Sequence, residues 1–131
     1  MSELYRHLSL VTNIDIKETS DTYAQSYITE EGDIILIPKS YERIKAVWAL
    51  FHEIGHILDA RAGKKFKSEW DSEISAWNWS WNSSRCLEDN FKDYVEDCLR
   101  TYHEGDEASF KVRFSKAWKD ITKYKFTIFC K

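Results

Sequence analysis

Residues 41–60, YERIKAVWALFHEIGHILDA, decide the fold of this 131-residue chain, because they predict one long amphipathic helix. The stretch holds no proline, and its apolar residues recur every three or four positions, so one stripe of the helix can face a core. We expect Ser40 to be the N-cap residue and Gly63 to end the helix. The apolar stripe consists of Ile44, Val47, Trp48, Phe51, Ile54, Ile57 and Leu58.

The segment HEIGH at residues 52–56 places potential metal ligands and a potential catalytic base on this helix. Its two histidines are separated by just over one turn, so both imidazoles project from one face and can bind one metal ion. Glu53 points about 100° around the helix from His52, where it can reach a water without coordinating the metal. Zinc hydrolases use this pattern, so His52 and His56 are predicted Zn²⁺ ligands and Glu53 the predicted catalytic base. Gly55 indicates that another element or a substrate approaches closely.

The composition indicates a single domain over residues 1–131 with a core rich in aromatic side chains, which make up 15% of the chain. The net charge of −3 argues against general affinity for nucleic acid. We expect neither a signal peptide nor a membrane span, since no long apolar run is present. Cys86, Cys98 and Cys130 form no C-x-x-C pair and indicate reduced thiols in a cytoplasmic protein.

The remaining sequence predicts an α+β fold, in which a small N-terminal sheet packs on the 41–60 helix and a mostly helical half follows. The apolar run 34–37 suggests a strand buried on both faces, ended by Pro38. Trp70, Trp77 and Trp81 share one helical face and are expected in the core. The other predicted elements are strands at 14–17 and 23–29 and helices at 2–11, 69–83, 86–103 and 106–124.

A catalytic zinc normally has three protein ligands and one open position, so a third ligand is expected downstream of His56. Glu69 and Glu73 are separated by one turn on the predicted 69–83 helix, and a helix packed beside the metal helix can project a glutamate onto the ion. Spacing alone does not separate these two glutamates. The further candidates are Asp59, Asp71 and His103.

The run WALFHEIGHILD at 48–59 resembles the active-site helix of the ImmA/IrrE-type metallopeptidases, small gluzincin-like intracellular proteins of bacteria and their phages. EISAWNWS at 73–80 is similar to a later helix of that family, E-x-x-A-x-x-[F/W]-A. The resemblance implies that Glu73 is the third zinc ligand and that Ala76 allows the two helices to pack closely. The spacing from His56 to Glu73 is shorter than in longer members, and residues 85–131 match no part of the family pattern.

The expected activity is therefore zinc-dependent hydrolysis of a peptide bond, with an intracellular protein or peptide as substrate. Zinc would lower the pKa of its bound water toward ~7, and Glu53 would transfer the proton to the leaving amine. The alternative is a catalytically silent protein of the same fold, such as a phage protein that binds a host factor. Candidate donors to the tetrahedral oxyanion are His103, Tyr102, Tyr94 and Arg100.

Overall fold

The computed structural model describes residues 2–84 and 90–123, and over these ranges the fold is α+β. A small sheet near the N-terminus is followed by a mostly helical remainder, so the predicted fold class is confirmed. The extent of a single domain over residues 1–131 stays a prediction. In chain order the elements are α1 (Ser2–Thr12), β1 (Ile14–Thr19), β2 (Gln25–Thr29), β3 (Gly32–Pro38), α2 (Arg43–Arg61), α3 (Glu69–Ser84), α4 (Phe91–Arg100) and α5 (Glu107–Ile121).

The sheet has β3 at its centre, β1 parallel to it on one side and β2 antiparallel to it on the other. β2 and β3 form a hairpin that closes with Thr29 opposite Gly32. Gly32 has a φ of 140°, which a glycine adopts without strain. In the described sheet β2 is therefore an edge strand, reached from β3 by a tight turn.

β3 is buried on one face rather than on both, which corrects the prediction from its continuous apolar run. Ile35 and Ile37 are fully buried, whereas Ile34 and Leu36 are half-buried. The reason is that the helices cover a single face of the sheet, the face that Ile35 shares with Ile16 of β1.

Two apolar clusters meet at α2. The sheet-side core joins α1, β1 and β3 to α2 residues such as Leu50 and Ile54. The helix-side core joins Trp48 of α2 to α3, α4 and α5. Trp70 and Trp77 are buried in the helix-side core and Trp81 packs against it, as the helical spacing of the tryptophans predicts.

α2 begins at Arg43, and Glu42 is its N-cap without a side-chain hydrogen bond, so the prediction of Ser40 as N-cap is wrong. Ser40 instead lies in a turn in which the Tyr41 N–H donates to the Pro38 carbonyl at 3.2 Å. Gly63, with a φ of 73°, follows the helix end as predicted.

α4 and α5 end before the predicted ends at residues 103 and 124. α4 follows Asn90, whose φ is 65°, and ends at Arg100, while residues 85–89 of the predicted 86–103 helix lie outside the described residues. α5 begins after Asp106, whose carboxylate accepts a 2.8 Å hydrogen bond from the Ser109 N–H.

None of the helices in the two described ranges combines the length and apolar character that a membrane span requires.

Cys98 is a half-buried free thiol on α4. Cys86 and Cys130 lie outside the described residues.

Candidate metal centre

α2 presents the two histidines and Glu53 to the interior of the protein. His52 and Glu53 are buried and His56 is half-buried. The nitrogen and oxygen atoms of these three side chains that could bind a metal lie within 4.8 Å of one another. One helix therefore supplies a compact group of nitrogen and oxygen donors.

α3 packs along α2 and brings the Glu73 carboxylate to both imidazoles. Oε1 lies 2.9 Å from His52 Nε2, Oε2 lies 2.8 Å from His56 Nε2, and the two Nε2 atoms are 3.2 Å apart. Ligand atoms in a tetrahedral zinc site with bonds of ~2.0–2.1 Å are about 3.3 Å apart. The three side chains thus converge at slightly less than the spacing that the ion requires.

The donor set fits a divalent cation as well as it fits protons. If both Nε2 atoms carried protons, each N–H could donate to its own Glu73 oxygen, at 2.9 and 2.8 Å. If neither did, two nitrogen lone pairs and the Glu73 oxygens would repel one another. A cation accepts all these lone pairs at once, and two histidines with one glutamate are a common zinc ligand set.

The electrostatics of the group keep Glu73 ionised. Burial alone would raise the pKa of Glu73, but the hydrogen bonds and charges of His52 and His56 outweigh burial and lower this pKa to about 2. Burial would likewise lower the pKa of His56. The hydrogen bond and charge of Glu73, with the charges of Glu53 and Asp59, outweigh it, so the pKa of His56 is raised. The group therefore attracts a positive charge, either a proton or a metal ion.

A buried carboxylate ties α3 to α2 one turn beyond the histidines. Asp59, only 3% exposed, accepts hydrogen bonds from Ser75 Oγ at 2.6 Å and Trp79 Nε1 at 3.0 Å. Lys64 Nζ lies 3.1 Å from the same carboxylate and offsets its charge. Because Ser75 and Trp79 lie on α3, these bonds fix the register that places Glu73 against the histidines.

The mid-helix glycine of the motif marks the close approach of the two helices. A Cβ atom added to Gly55 would lie 2.8 Å from the Cβ of Trp79. The expectation of a close neighbour at Gly55 is confirmed, and that neighbour is α3.

The other predicted third ligands lie away from the histidines or are engaged elsewhere. Glu69 and Asp71 are exposed on α3, and Asp59 belongs to the inter-helix network. His103 is half-buried in the turn between α4 and α5, where its Nε2 lies 2.9 Å from Ser109 Oγ. Its second ring nitrogen lies 3.2 Å from the guanidinium of Arg113.

Two of the four candidate oxyanion donors line the space beside Glu53. These are Tyr94 and Tyr102, whereas Arg100 pairs with surface carboxylates, Asp97 and Glu107 among them, each at 2.8 Å. Burial first, and then the charges of nearby glutamates, raise the pKa of Tyr102 to about 12. The Tyr102 hydroxyl therefore keeps its proton at neutral pH and can donate it in a hydrogen bond.

Two connected cavities open onto the metal group. The outer cleft, of about 540 Å³, runs along β2 and includes His56. The inner pocket, of about 260 Å³, extends toward α4. The walls common to both are formed by Tyr23, Ala24, His52, Glu53, Glu73 and Tyr102.

β2 and the preceding Tyr23 and Ala24 are site features that the sequence does not reveal. No motif marks them, and they reach the metal group because the edge strand packs near α2 in the tertiary structure. The polar side chains of Gln25, Ser26 and Thr29 in β2 are the one signal that this strand has an open face.

On its Nδ1 side, the His52 ring is held by ring packing rather than by a hydrogen-bonded partner. Metal-binding histidines usually donate their second ring N–H to an acceptor. Within the described part of the chain, His52 Nδ1 is buried and has no such partner. The imidazole instead lies on the indole of Trp77, with ring centroids 3.9 Å apart.

No family model matches the chain, and no curated protein or solved structure matches it significantly. The chemistry of the site therefore carries the functional proposal.

Proposed function

We propose that the protein is a zinc-dependent metallopeptidase of the ImmA/IrrE type, which hydrolyses a peptide bond in an intracellular protein. One observation carries the proposal: the Glu73 carboxylate bridges the two histidines of the HEIGH motif at 2.9 and 2.8 Å, beside the buried Glu53. An anionic carboxylate between two imidazoles supports a cation site more strongly than the five-residue motif does alone.

In this proposal His52, His56 and Glu73 hold Zn²⁺, and neighbouring side chains transfer the proton and stabilise the oxyanion. When bound, zinc supplies a Lewis acid that polarises the scissile carbonyl and lowers the pKa of water. Glu53 follows His52 in the chain but lies outside the ligand set. Its carboxylate accepts the proton of the attacking water and delivers it to the leaving amine nitrogen.

Tyr102 is the donor best placed to stabilise the negative charge that develops on the carbonyl oxygen. It lines both cavities together with Glu53 and is 39% exposed, so substrate can reach its hydroxyl. The pKa of this phenol, raised to about 12, lies far above neutral pH, so its O–H can donate a hydrogen bond to the carbonyl oxygen. We therefore assign Tyr102 the oxyanion-stabilising role.

The position of β2 favours an extended peptide as the substrate. Gln25, Ser26 and Tyr27 of this edge strand line the outer cleft beside the histidines. A peptide can bind such an edge by main-chain hydrogen bonds, as an added strand. This arrangement supports a protein segment, rather than nucleic acid, as the occupant of the cleft.

The test combines zinc content with cleavage of unfolded casein. We expect about one zinc per chain in the wild type, on the stoichiometry of a mononuclear site. His52→Ala should lose both metal and cleavage, whereas Glu53→Gln should keep the metal and lose cleavage. Glu69→Gln, an exposed position on the ligand helix, is the control that should keep both.

Two results would contradict this function in different ways. A freshly purified wild type without bound zinc would exclude the metal centre. The second result is a protein that binds stoichiometric zinc but does not cleave, with a Glu53→Gln variant that keeps the full biological effect. This result would instead favour the catalytically silent interaction protein.

A further inference from the structure

The inner pocket begins at the metal group, where it joins the outer cleft, and extends between α2, α3 and α4. Its mouth is the wall it shares with the outer cleft, including Glu53 and Tyr102. Beyond the mouth it has walls of its own, which the outer cleft does not touch. These walls are formed by Tyr41, Ala49, Trp77, Tyr94, Cys98 and Thr101.

The size of the pocket suits a single side chain. Sites for drug-sized ligands occupy about 300–1,000 Å³, whereas the inner pocket, with the shared mouth included, has about 260 Å³. The outer cleft, with about 540 Å³ along β2, is the larger space and can hold the peptide backbone. A peptide in the outer cleft can therefore direct one side chain inward past Glu53.

The pocket's own walls, beyond the mouth, carry no charged side chain at neutral pH. Burial raises the pKa of Tyr41 and of Tyr94, so both phenols stay neutral. Burial also raises the pKa of the Cys98 thiol to about 11, so no thiolate forms there. The other walls of the pocket's own are aromatic, aliphatic or hydroxyl groups.

A charged side chain of either sign meets a like charge at one end of the pocket. The Lys45 ammonium lies 4.4 Å from the ring centre of Tyr41 and 5.4 Å from that of Tyr94, so a cationic side chain would meet a like charge behind the aromatic walls. An anionic side chain would pass the carboxylates of Glu53 and Glu73 at the mouth.

We propose that the inner pocket selects substrates that carry a large, uncharged apolar side chain, such as leucine or phenylalanine, next to the scissile bond. The inference rests on the proposed metallopeptidase function. It names the substrate class of the same site, and the pocket's own walls are its specificity-determining residues.

The test measures binding of amino-acid hydroxamates to the zinc-loaded protein by titration calorimetry. The hydroxamate group chelates the metal, so the side chain is presented beside it. We expect leucine and phenylalanine hydroxamates to bind at least about tenfold more tightly than those of glycine, aspartate and lysine, since one methylene in an apolar pocket contributes about tenfold or more.

Variants that fill the pocket sharpen the test. Cys98→Leu should weaken binding of the leucine and phenylalanine compounds at least about tenfold and leave glycine hydroxamate unchanged, because only the pocket loses volume. Thr101→Leu, at an exposed wall position, should act in the same direction if Cys98→Leu fails to fold. Val112→Leu, 62% exposed on α5, is the matched control and should change nothing.

The outcomes separate the pocket from the metal centre. The zinc-loaded protein could bind all five hydroxamates equally, or prefer the aspartate or lysine compound. Either result would contradict the proposed selectivity of the pocket but not the metallopeptidase proposal. A protein that contains no zinc would contradict both the pocket selectivity and the metallopeptidase function. Mass spectrometry of casein fragments gives the independent check, since cleavage should concentrate at bonds flanked by a large apolar residue.

Discussion

Glu73 and Glu69 show how the environment of a residue, rather than its type, decides its chemistry. Both are glutamates on α3, separated by one turn, yet Glu69 is exposed and Glu73 is buried against two imidazoles. The buried position lowers the pKa of Glu73 to about 2 because the histidines stabilise its charge. The two positions therefore form a matched pair for mutagenesis.

Glu73→Gln is expected to weaken zinc binding at least about 100-fold, since loss of even a supporting residue lowers metal affinity about 10- to 100-fold. The amide keeps the shape of the side chain but removes the anionic ligand. Glu69→Gln should leave the affinity unchanged. Competition with a chromogenic chelator measures both constants, and equal affinities of the two variants would exclude Glu73 as the third ligand.

The metal-free protein is expected to be most stable between about pH 4.5 and 6.5. The pKa of Glu73 is lowered from 4.5 to about 2, so its contribution is complete above 4.5 and is lost as the pH falls toward 2. The pKa of His56 is raised from 6.5, so its contribution is complete below 6.5 and is lost as the pH rises through the raised value.

Urea unfolding of chelator-treated protein at a series of pH values measures this profile. His56→Gln should remove this loss of stability on the alkaline side, because the imidazole whose raised pKa causes it is absent. His7→Gln, on the exposed surface of α1, is the control and should keep that loss. An alkaline loss of equal size in His56→Gln would contradict the assignment.

The contact between α2 and α3 is the decisive feature at the scale of secondary-structure elements. α2 supplies the histidines, α3 supplies Glu73, and the Asp59 network holds the two helices in register. Gly55 lets the backbone of α2 approach Trp79 at the point where the helices meet. Close packing of the two helices and convergence of the ligand atoms are therefore linked.

Gly55→Ala is expected to lower the free energy of unfolding by about 1–3 kcal/mol, the usual effect of overpacking. The new Cβ would lie 2.8 Å from Trp79 Cβ, so one helix must move. In an open helix the same change would stabilise by about 1 kcal/mol. Ala60→Gly, at an exposed position of α2, is the control and should lower the free energy of unfolding by about 1 kcal/mol. A Gly55→Ala protein more stable than the wild type in urea would contradict the close contact.

At the scale of the whole molecule, α2 belongs to both apolar cores, so the sheet and the later helices are expected to unfold together. All 6 tryptophans follow residue 47 in the chain, and none lies in the described sheet. Tryptophan fluorescence therefore reports on α2 and the helices after it, while circular dichroism at far-ultraviolet wavelengths reports on the entire fold.

Ile35→Ala, at a fully buried position of β3, should destabilise the protein by about 2–5 kcal/mol. Because α2 couples the two cores, the denaturation midpoints seen by fluorescence and by circular dichroism should fall equally. Ile28→Ala, 60% exposed on β2, should have little effect on either midpoint. A fluorescence midpoint that stays at the wild-type value would show that the helices unfold independently of the sheet.

Local patterns in the sequence determined the α+β class, the long α2 helix and the placement of two histidines and a glutamate on it. These features depend on residue spacing within one element, and helical periodicity converts that spacing directly into a common face. Predictions from local patterns were wrong where contacts with other elements determine the outcome. β3 is covered on one face only, because the helices lie on one side of the sheet. Ser40 lies in a turn ahead of α2 and is not its N-cap.

Residue spacing left open which acidic side chain meets the histidines; the family resemblance implied Glu73, and the tertiary structure shows that contact and what surrounds it. Glu69 and Glu73 share a helical face but lie about 6 Å apart along the axis, so the packing register of α3 on α2 selects between them. Tyr23, Tyr102 and β2 reach the site from distant parts of the chain. Their positions follow from how the elements pack, which residue spacing within one element does not encode.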